Sequence, residues 1–237
     1  MKFNLIIPIA ADYNIVDHTI PYIFQPDNSG ILFCVKSILG LNLSIFDRII
    51  FVVLNKHNKA YYLEHILQTQ FKCLNIPNAE VIVLNKPTKN QPETIFQTIK
   101  LANLTGSIFI KDADSYFNGE IFAENSIAIY SLENLHFVDP RNKSYVSIDE
   151  MFYITNIIEK RGISHYFSAG GYGFKSAEEY CYYYNKLCHF NDLYISHIIY
   201  LMLLDNHIFR PILINNYKDW GTSELLKFYI KYKNGAD

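Results

Sequence analysis

Four uninterrupted apolar runs of strand length punctuate the first half of the chain, and helix-spaced segments separate them. The runs are Asn4–Ile9, Arg48–Leu54, Glu80–Leu84 and Ser107–Ile110, the last ending at Lys111 and Asp112. A strand with one wet face alternates apolar and polar residues, whereas a strand covered on both faces reads as a continuous apolar run. The intervening segments Ile31–Leu39, Lys59–Leu74 and Pro92–Ala102 carry helical spacing. Strand and helix in alternation predict α/β architecture: a Rossmann-like mixed, mainly parallel sheet with helices on both faces.

After Asp114 the pattern shortens. Ser126–Ser131, Ser144–Ile148 and Phe152–Ile158 read as strands, the last two paired through a turn at Asp149–Glu150. Tyr166–Phe174 is another strand, with three glycines, and Ser176 through Glu179 reads as a capping box for a helix to about Cys188. Leu193–Leu204 reads as a further helix and Ile208–Ile214 as a further strand. Without a linker, repeat or like-charge block, one domain over 1–237 is expected, with 1–114 and 115–237 as its two halves.

At 237 residues, such a domain buries roughly 70–75% of its unfolded surface and needs no disulfide or metal staple. The four cysteines, Cys34, Cys73, Cys181 and Cys188, have neither C-x-x-C nor zinc spacing and fit buried thiols in a reducing cytoplasm. With 21 basic against 23 acidic residues, net charge −2, the chain lacks the basic excess that nucleic acid demands. The longest apolar run, Ile198–Leu204, is far too short to span a bilayer. Pro8 interrupts what would otherwise be a very short signal-peptide core, so a buried first strand is the better reading of the amino terminus.

Chemistry is expected outside the carboxyl ends of the strands. Asp112 and Asp114 follow the fourth run and suit a divalent cation or a turn equally. Glu159–Lys160 ends a strand, where a lysine can neutralise phosphate or form a solvated surface pair with its neighbour. Ser168 to Phe174 (SAGGYGF) implies close approach, by a ligand or by another backbone. Asp219-Trp-Gly-Thr222 lies between a strand and a final helix from Glu224 to Tyr232, which Thr222 or Ser223 suits as cap. Asn90 to Thr94 opens a helix, whose free N–H groups suit an anion or base, or a cap.

Taken in order, Gln91, Thr94, Asp112, Glu159–Lys160, Ala169–Phe174 and Asp219–Thr222 resemble the signature of the sugar nucleotidyltransferases, of nucleotide-diphospho-sugar transferase fold, over most of the chain. The resemblance implies that a phosphorylated sugar or similar acceptor attacks the α-phosphorus of a nucleoside triphosphate and releases pyrophosphate, for surface polysaccharide synthesis. It implies Mg²⁺ on Asp112 and Asp219, with Asp114 as the substitute for Asp112, and Lys160 on the acceptor phosphate. Ala10, Ala11, Asp12, Gln91, Thr94 and Lys111 would meet the nucleotide. Glu159, Gly170, Gly171, Trp220 and Thr222 would meet the acceptor, and a homodimer is compatible with the family. The stretch Ala10–Pro21 departs from the pattern, because it holds no glycine, lysine or arginine, and Arg161 stands where the family has proline. Asp12 and Asp17 in that stretch would repel a triphosphate, so Lys36, Arg48, Lys111 or Arg161 is expected to supply the missing cation. The alternatives are a glycosyltransferase using a nucleotide-sugar donor with a D-x-D metal site, and a non-catalytic nucleotide-binding protein.

Overall fold

The computed structural model describes residues 3–12, 20–134 and 140–222. Asp17, Ser223 and the expected helix from Glu224 to Tyr232 lie outside the described residues. The strands are β1 (Phe3–Ile9), β2 (Phe46–Leu54), β3 (Ala79–Leu84), β4 (Ile108–Lys111), β5 (Ser115–Asn118), β6 (Ser126–Ser131), β7 (Ser144–Ile148), β8 (Ile154–Glu159), β9 (Tyr166–Phe174), β10 (Arg210–Leu213) and β11 (Asn215–Asp219). The α-helices are α1 (Phe33–Lys36), α2 (Asn55–Tyr61), α3 (Leu63–Cys73), α4 (Gln91–Leu101), α5 (Ala177–Leu187) and α6 (Ile195–Leu204).

One nine-stranded sheet runs through both halves, in the order β10-β6-β9-β4-β1-β2-β3, with β7 and β8 joined at β9. Its first half is parallel, β3-β2-β1-β4, and β9 then runs antiparallel to both β4 and β6. The continuous apolar runs have the expected cause. Leu5, Ile7 and Ile9 of β1 join one core with Ile49, Phe51 and Val53 of β2, while Ile6, Ile50 and Val52 enter a second core across the sheet. Residues on α1 and α3 cover the first face, and α4, α5 and α6 cover the second. The mixed α/β architecture is therefore as expected.

Two helices differ from the sequence reading. Ile31–Leu39 keeps only the single turn α1, because the chain must then pass the β5 backbone: a Cβ on Gly40 would lie 2.1 Å from the Phe117 carbonyl oxygen. Lys59–Leu74 is split at Tyr62, which adopts φ +53°. There the Asn58 side chain accepts the Glu64 N–H at 2.8 Å and starts a new helix. The cap at Ser176 forms, accepting from Glu179 N–H at 3.0 Å, but its hydroxyl turns to Glu178, so the box is only half made.

The pair β5–β11 is the element that the sequence does not announce. It forms a separate antiparallel ribbon in which Asp219 faces Ser115. Trp220 N–H extends the pairing to the Asp114 carbonyl at 2.9 Å. A contact spanning 106 residues, from 114 to 220, thus carries Asp219 to the end of β4.

Candidate functional site

Two cavities open beyond the carboxyl ends of β1 and β4. One, of ≈ 470 Å³, is lined by Ala10, Ala11, Asp12, Thr88, Lys89 and Thr94. The other, of ≈ 370 Å³, is lined by Lys143, Ser144, Glu159, Lys160, Tyr194 and Ser196, among others. Gln91, Asp112 and Asp114 line both, so the chambers meet on an acidic wall. Both volumes fall in the usual range for small-molecule sites.

The wall is built closely. Asp112 N–H donates to Gly170 O at 2.8 Å, and Gln91 Nε2 donates to Asp112 Oδ1 at 2.6 Å. Gly170 has φ +81°, and a Cβ there would lie 2.6 Å from Asp112 Oδ2. Only glycine meets both the left-handed backbone and the close approach of the carboxylate. Gln91 is fixed at the start of α4, where Asn90 caps the helix by accepting Glu93 N–H at 3.0 Å. It thus orients the aspartate while remaining open to both chambers.

Gly221 separates the other two carboxylates: a Cβ on it would lie 3.0 Å from Asp114 Oδ2 and 3.2 Å from Asp219 Oδ1. Burial, and then the charges of Asp112 and Asp219, push the Asp114 carboxyl up to about 6, against Lys143 and Lys111. Burial likewise raises Asp112, opposed by Lys111 and the Gln91 hydrogen bond. Asp219 is paired with Lys143, the two side chains 9 and 15% exposed, and it accepts Gly221 N–H at 2.9 Å. Burial works against the Lys143 ammonium, but Tyr217 and Asp219 outweigh it and hold its pKa above the usual lysine range.

This donor set fits magnesium in part. Mg²⁺ takes hard oxygens, commonly one or two carboxylates plus phosphate and water, and Asp112 and Asp114 face both chambers. Among the described residues no three His, Cys, Asp or Glu side chains gather tightly enough to enclose a metal. Asp219 already has a cation in Lys143, so the expected Asp112–Asp219 pair has a lysine at one end.

Most of the residues expected from sequence lie on these chambers: Ala10, Ala11, Asp12, Gln91 and Thr94 on the larger, and Glu159, Lys160, Gly170, Asp219 and Thr222 on the smaller. Glu159 accepts the hydroxyls of Ser144 and, at 2.8 Å, Ser196. Lys160 donates to the Tyr194 hydroxyl at 2.7 Å from a backbone at φ +55°.

Three expectations are corrected. Lys111 does not meet the nucleotide: it is fully buried, donating to Asp112 O, Ser115 O and Ser115 Oγ at 2.6–2.8 Å, over the Phe117 ring. Burial lowers it to about 8, against the pull of Asp112, Asp114 and Asp219. Gly171 does not open onto the acceptor side. Its Cβ position points into the core, 2.8 Å from Ala128 Cβ and 2.9 Å from the Phe109 and Phe117 rings. Trp220 is also core, fully buried beneath the wall, donating to Ala113 O at 3.2 Å and packing on Phe33.

Of the other candidate cations, Lys36 pairs with Asp27 and Arg48 with Glu80 and Ala102 O, away from the wall, and Arg161 is exposed and lines neither chamber. The cation that sequence reasoning missed is Lys143. It carries no motif, but the expected β7–β8 hairpin places it across from Lys160, and that pairing was its signal.

No family model matches the chain, and no curated protein is similar to it. Solved structures are. A nucleoside-diphosphate-sugar pyrophosphorylase from Vibrio cholerae RC9 superposes with TM-score 0.78 at 16% identity, over 96% of this chain and 99% of that one. The inositol-1-phosphate CTP transferase from T. maritima gives 0.74 at 16%, over 96% and 94%. A UTP-bound UGPase from Acinetobacter baumannii gives 0.69 at 10%, over 98% and 93%. At these identities the likeness is one of fold: the chain has the fold of the sugar nucleotidyltransferases.

Proposed function

We propose that the chain is a nucleotidyltransferase that joins a nucleoside triphosphate to a phosphorylated sugar or similar small acceptor and releases pyrophosphate. The observation that carries this reading is the pair of chambers sharing Gln91, Asp112 and Asp114. A two-substrate transfer needs both substrates to reach one point in line, and such a junction supplies it. The acceptor phosphate oxygen forms a bond to the α-phosphorus, the bond to the β-phosphate oxygen breaks, and the electron pair leaves with pyrophosphate.

In phosphoryl-type transfers the protein acts mainly by positioning and charge neutralisation. Gln91 and Gly170 fix Asp112 at the junction. Ala10, Ala11 and Thr94 offer the base and ribose a lining of small groups, and Lys160 holds the acceptor phosphate. Asp112 and Asp114 would hold Mg²⁺, which would supply charge neutralisation for the phosphate oxygens. In this reading the enzyme works in a reducing cytoplasm, where the activated product feeds surface polysaccharide assembly.

The deciding experiment measures pyrophosphate release with each nucleoside triphosphate against a panel of phosphorylated sugars and polyols, with Mg²⁺ and with EDTA. Release with one pair, abolished by EDTA, is expected. One observation favours a glycosyltransferase instead: Ala10–Asp12 brings no cation of its own, and Asp12 is paired with Lys56. No release with any triphosphate, alongside selective stabilisation by a nucleotide-diphospho-sugar, would establish that reading.

A further inference from the structure

The smaller chamber presents a charge problem. Among the described residues, four carboxylates line it (Asp112, Asp114, Glu159 and Asp219) and two cations, Lys143 and Lys160. A phosphomonoester brings a charge near −2 at neutral pH. Such a ligand would be repelled from this wall unless both cations met it together.

The hairpin puts the two lysines side by side. β7 and β8 pair with Ser144 opposite Glu159, and one step beyond that last rung Lys160 N–H donates to the Lys143 carbonyl at 2.9 Å. Like charges facing each other across a strand pair are destabilising, yet this fold sets two lysines there and turns both into one chamber. The backbone of Lys160 is also left-handed, a conformation that costs a non-glycine residue free energy and recurs at ligand clamps.

Each ammonium is anchored and still has protons to give. Lys143 donates to the Tyr217 hydroxyl at 2.9 Å and to Asp219, and its ammonium lies over the rings of Phe167 and Tyr217. Lys160 donates to the Tyr194 hydroxyl at 2.7 Å, with that ring 4.6 Å away. An ammonium has three donors, so these partners fix both heads without exhausting them. The Ser144 and Ser196 hydroxyls, which both donate to Glu159, keep that carboxylate occupied beside the pair.

We propose that Lys143 and Lys160 form a two-lysine clamp for the dianionic phosphate of the acceptor, Lys143 supplying on the acceptor side the cation that the described part of the first loop does not carry. The clamp deepens the nucleotidyltransferase reading and rests on it for the acceptor's identity.

The test titrates inorganic phosphate into the full chain in EDTA, followed by ³¹P line width, for wild type, Lys143→Met, Lys160→Met and the exposed control Lys175→Met. Lys143→Met is expected to weaken phosphate by at least about tenfold, as for loss of one charge-assisted hydrogen bond, and Lys160→Met, at an exposed ammonium, by about two- to fivefold, with the control unchanged. Because Lys143→Met leaves Asp219 without its partner, Asp219→Asn is a second probe. It frees Lys143 and is expected to tighten phosphate several-fold. Where turnover is measurable, Lys143→Met raises the acceptor KM and leaves the nucleotide KM unchanged. Phosphate that does not bind wild type, or that binds Lys143→Met as it binds wild type, overturns the clamp, as does Asp219→Asn with unchanged affinity. Absence of pyrophosphate release with the phosphate titration intact would instead remove the transferase reading and leave an anion clamp standing.

Discussion

The two chambers share a wall but carry charge in opposite ways. On the larger, the first-loop residues Ala10, Ala11 and Asp12 offer small groups and one carboxylate, which is paired with Lys56, and Lys89 is an exposed cation at its rim. On the smaller, Lys143 and Lys160 are held by Tyr217, Asp219 and Tyr194. The first loop, Ala10–Pro21, holds no lysine or arginine, whereas two lysines meet at the end of a hairpin. In this reading, positive charge is fixed where the acceptor phosphate arrives, and the nucleotide phosphates depend on Mg²⁺ and on mobile surface charge.

The largest expected effect comes from the wall common to both chambers. Asp112→Asn keeps an acceptor for the Gln91 amide but removes the charge, and pyrophosphate release should fall about 100- to 1,000-fold, as for loss of a key electrostatic group. The fold should persist, because burial already disfavours the Asp112 charge. Retained turnover would place the reacting phosphates elsewhere.

Adjacent glycines sharpen the contrast between site and core. Gly170→Ala meets both a φ of +81° and the Asp112 carboxylate 2.6 Å away, whereas Gly171→Ala meets two rings and a methyl group. Each should destabilise by about 1–3 kcal/mol, through backbone strain in the first case and overpacking in the second. Residual turnover per folded molecule separates them: it drops tenfold or more in Gly170→Ala and stays near wild type in Gly171→Ala. Equal residual activities would deny Gly170 its role in seating Asp112.

The same contrast shows what the sequence makes legible. The parallel half was readable because burial on both faces imprints on consecutive residues, as in Phe51, Val52 and Val53. The placement of Asp112 just past a strand and of Gln91 at a helix start was readable because each borders a local signal. Gly171 and Trp220 were misassigned for a common reason: a motif fixes the chain's path, but which way a side chain faces depends on partners such as Ala128 and Phe33. Lys111 failed by parity, since the residue next to a site aspartate in an extended segment faces away from it. The ribbon β5–β11 left no trace because its strands are short and their pairing bridges most of the second half.

A smaller effect is expected from Asp114. Its folded pKa of about 6 lies above the 3.8 of an unperturbed aspartate, so the native state binds the extra proton. The unfavourable contribution is absent below about pH 4 and grows as pH rises through 6. Asp114→Asn should therefore stabilise the metal-free protein by about 1 kcal/mol at pH 8 and hardly at all at pH 4, read from urea unfolding at both values. With Mg²⁺ present the wild type should recover the difference and the variant should not. An equal gain at both pH values would show that the carboxylate is not under electrostatic stress.

The smallest effect should fall on the rim of the nucleotide chamber, and it decides whether the asymmetry between chambers is real. Lys89 is exposed there, and its own N–H donates to Glu93 at 2.6 Å. An exposed ammonium meets phosphate in high dielectric and under salt, where such contacts contribute about 0–1 kcal/mol. Lys89→Gln should accordingly raise the nucleotide KM by no more than about fivefold and leave the acceptor KM untouched. The increase should fade between 50 and 300 mM salt as the Debye length shrinks. The effect of Lys143→Met should persist across that range, because Lys143 is largely screened from solvent by Tyr217 and Phe167. A salt-resistant loss at Lys89 that matched Lys143→Met would mean that the nucleotide side has a fixed phosphate grip of its own, and the charge would then be shared between the chambers instead of concentrated in one.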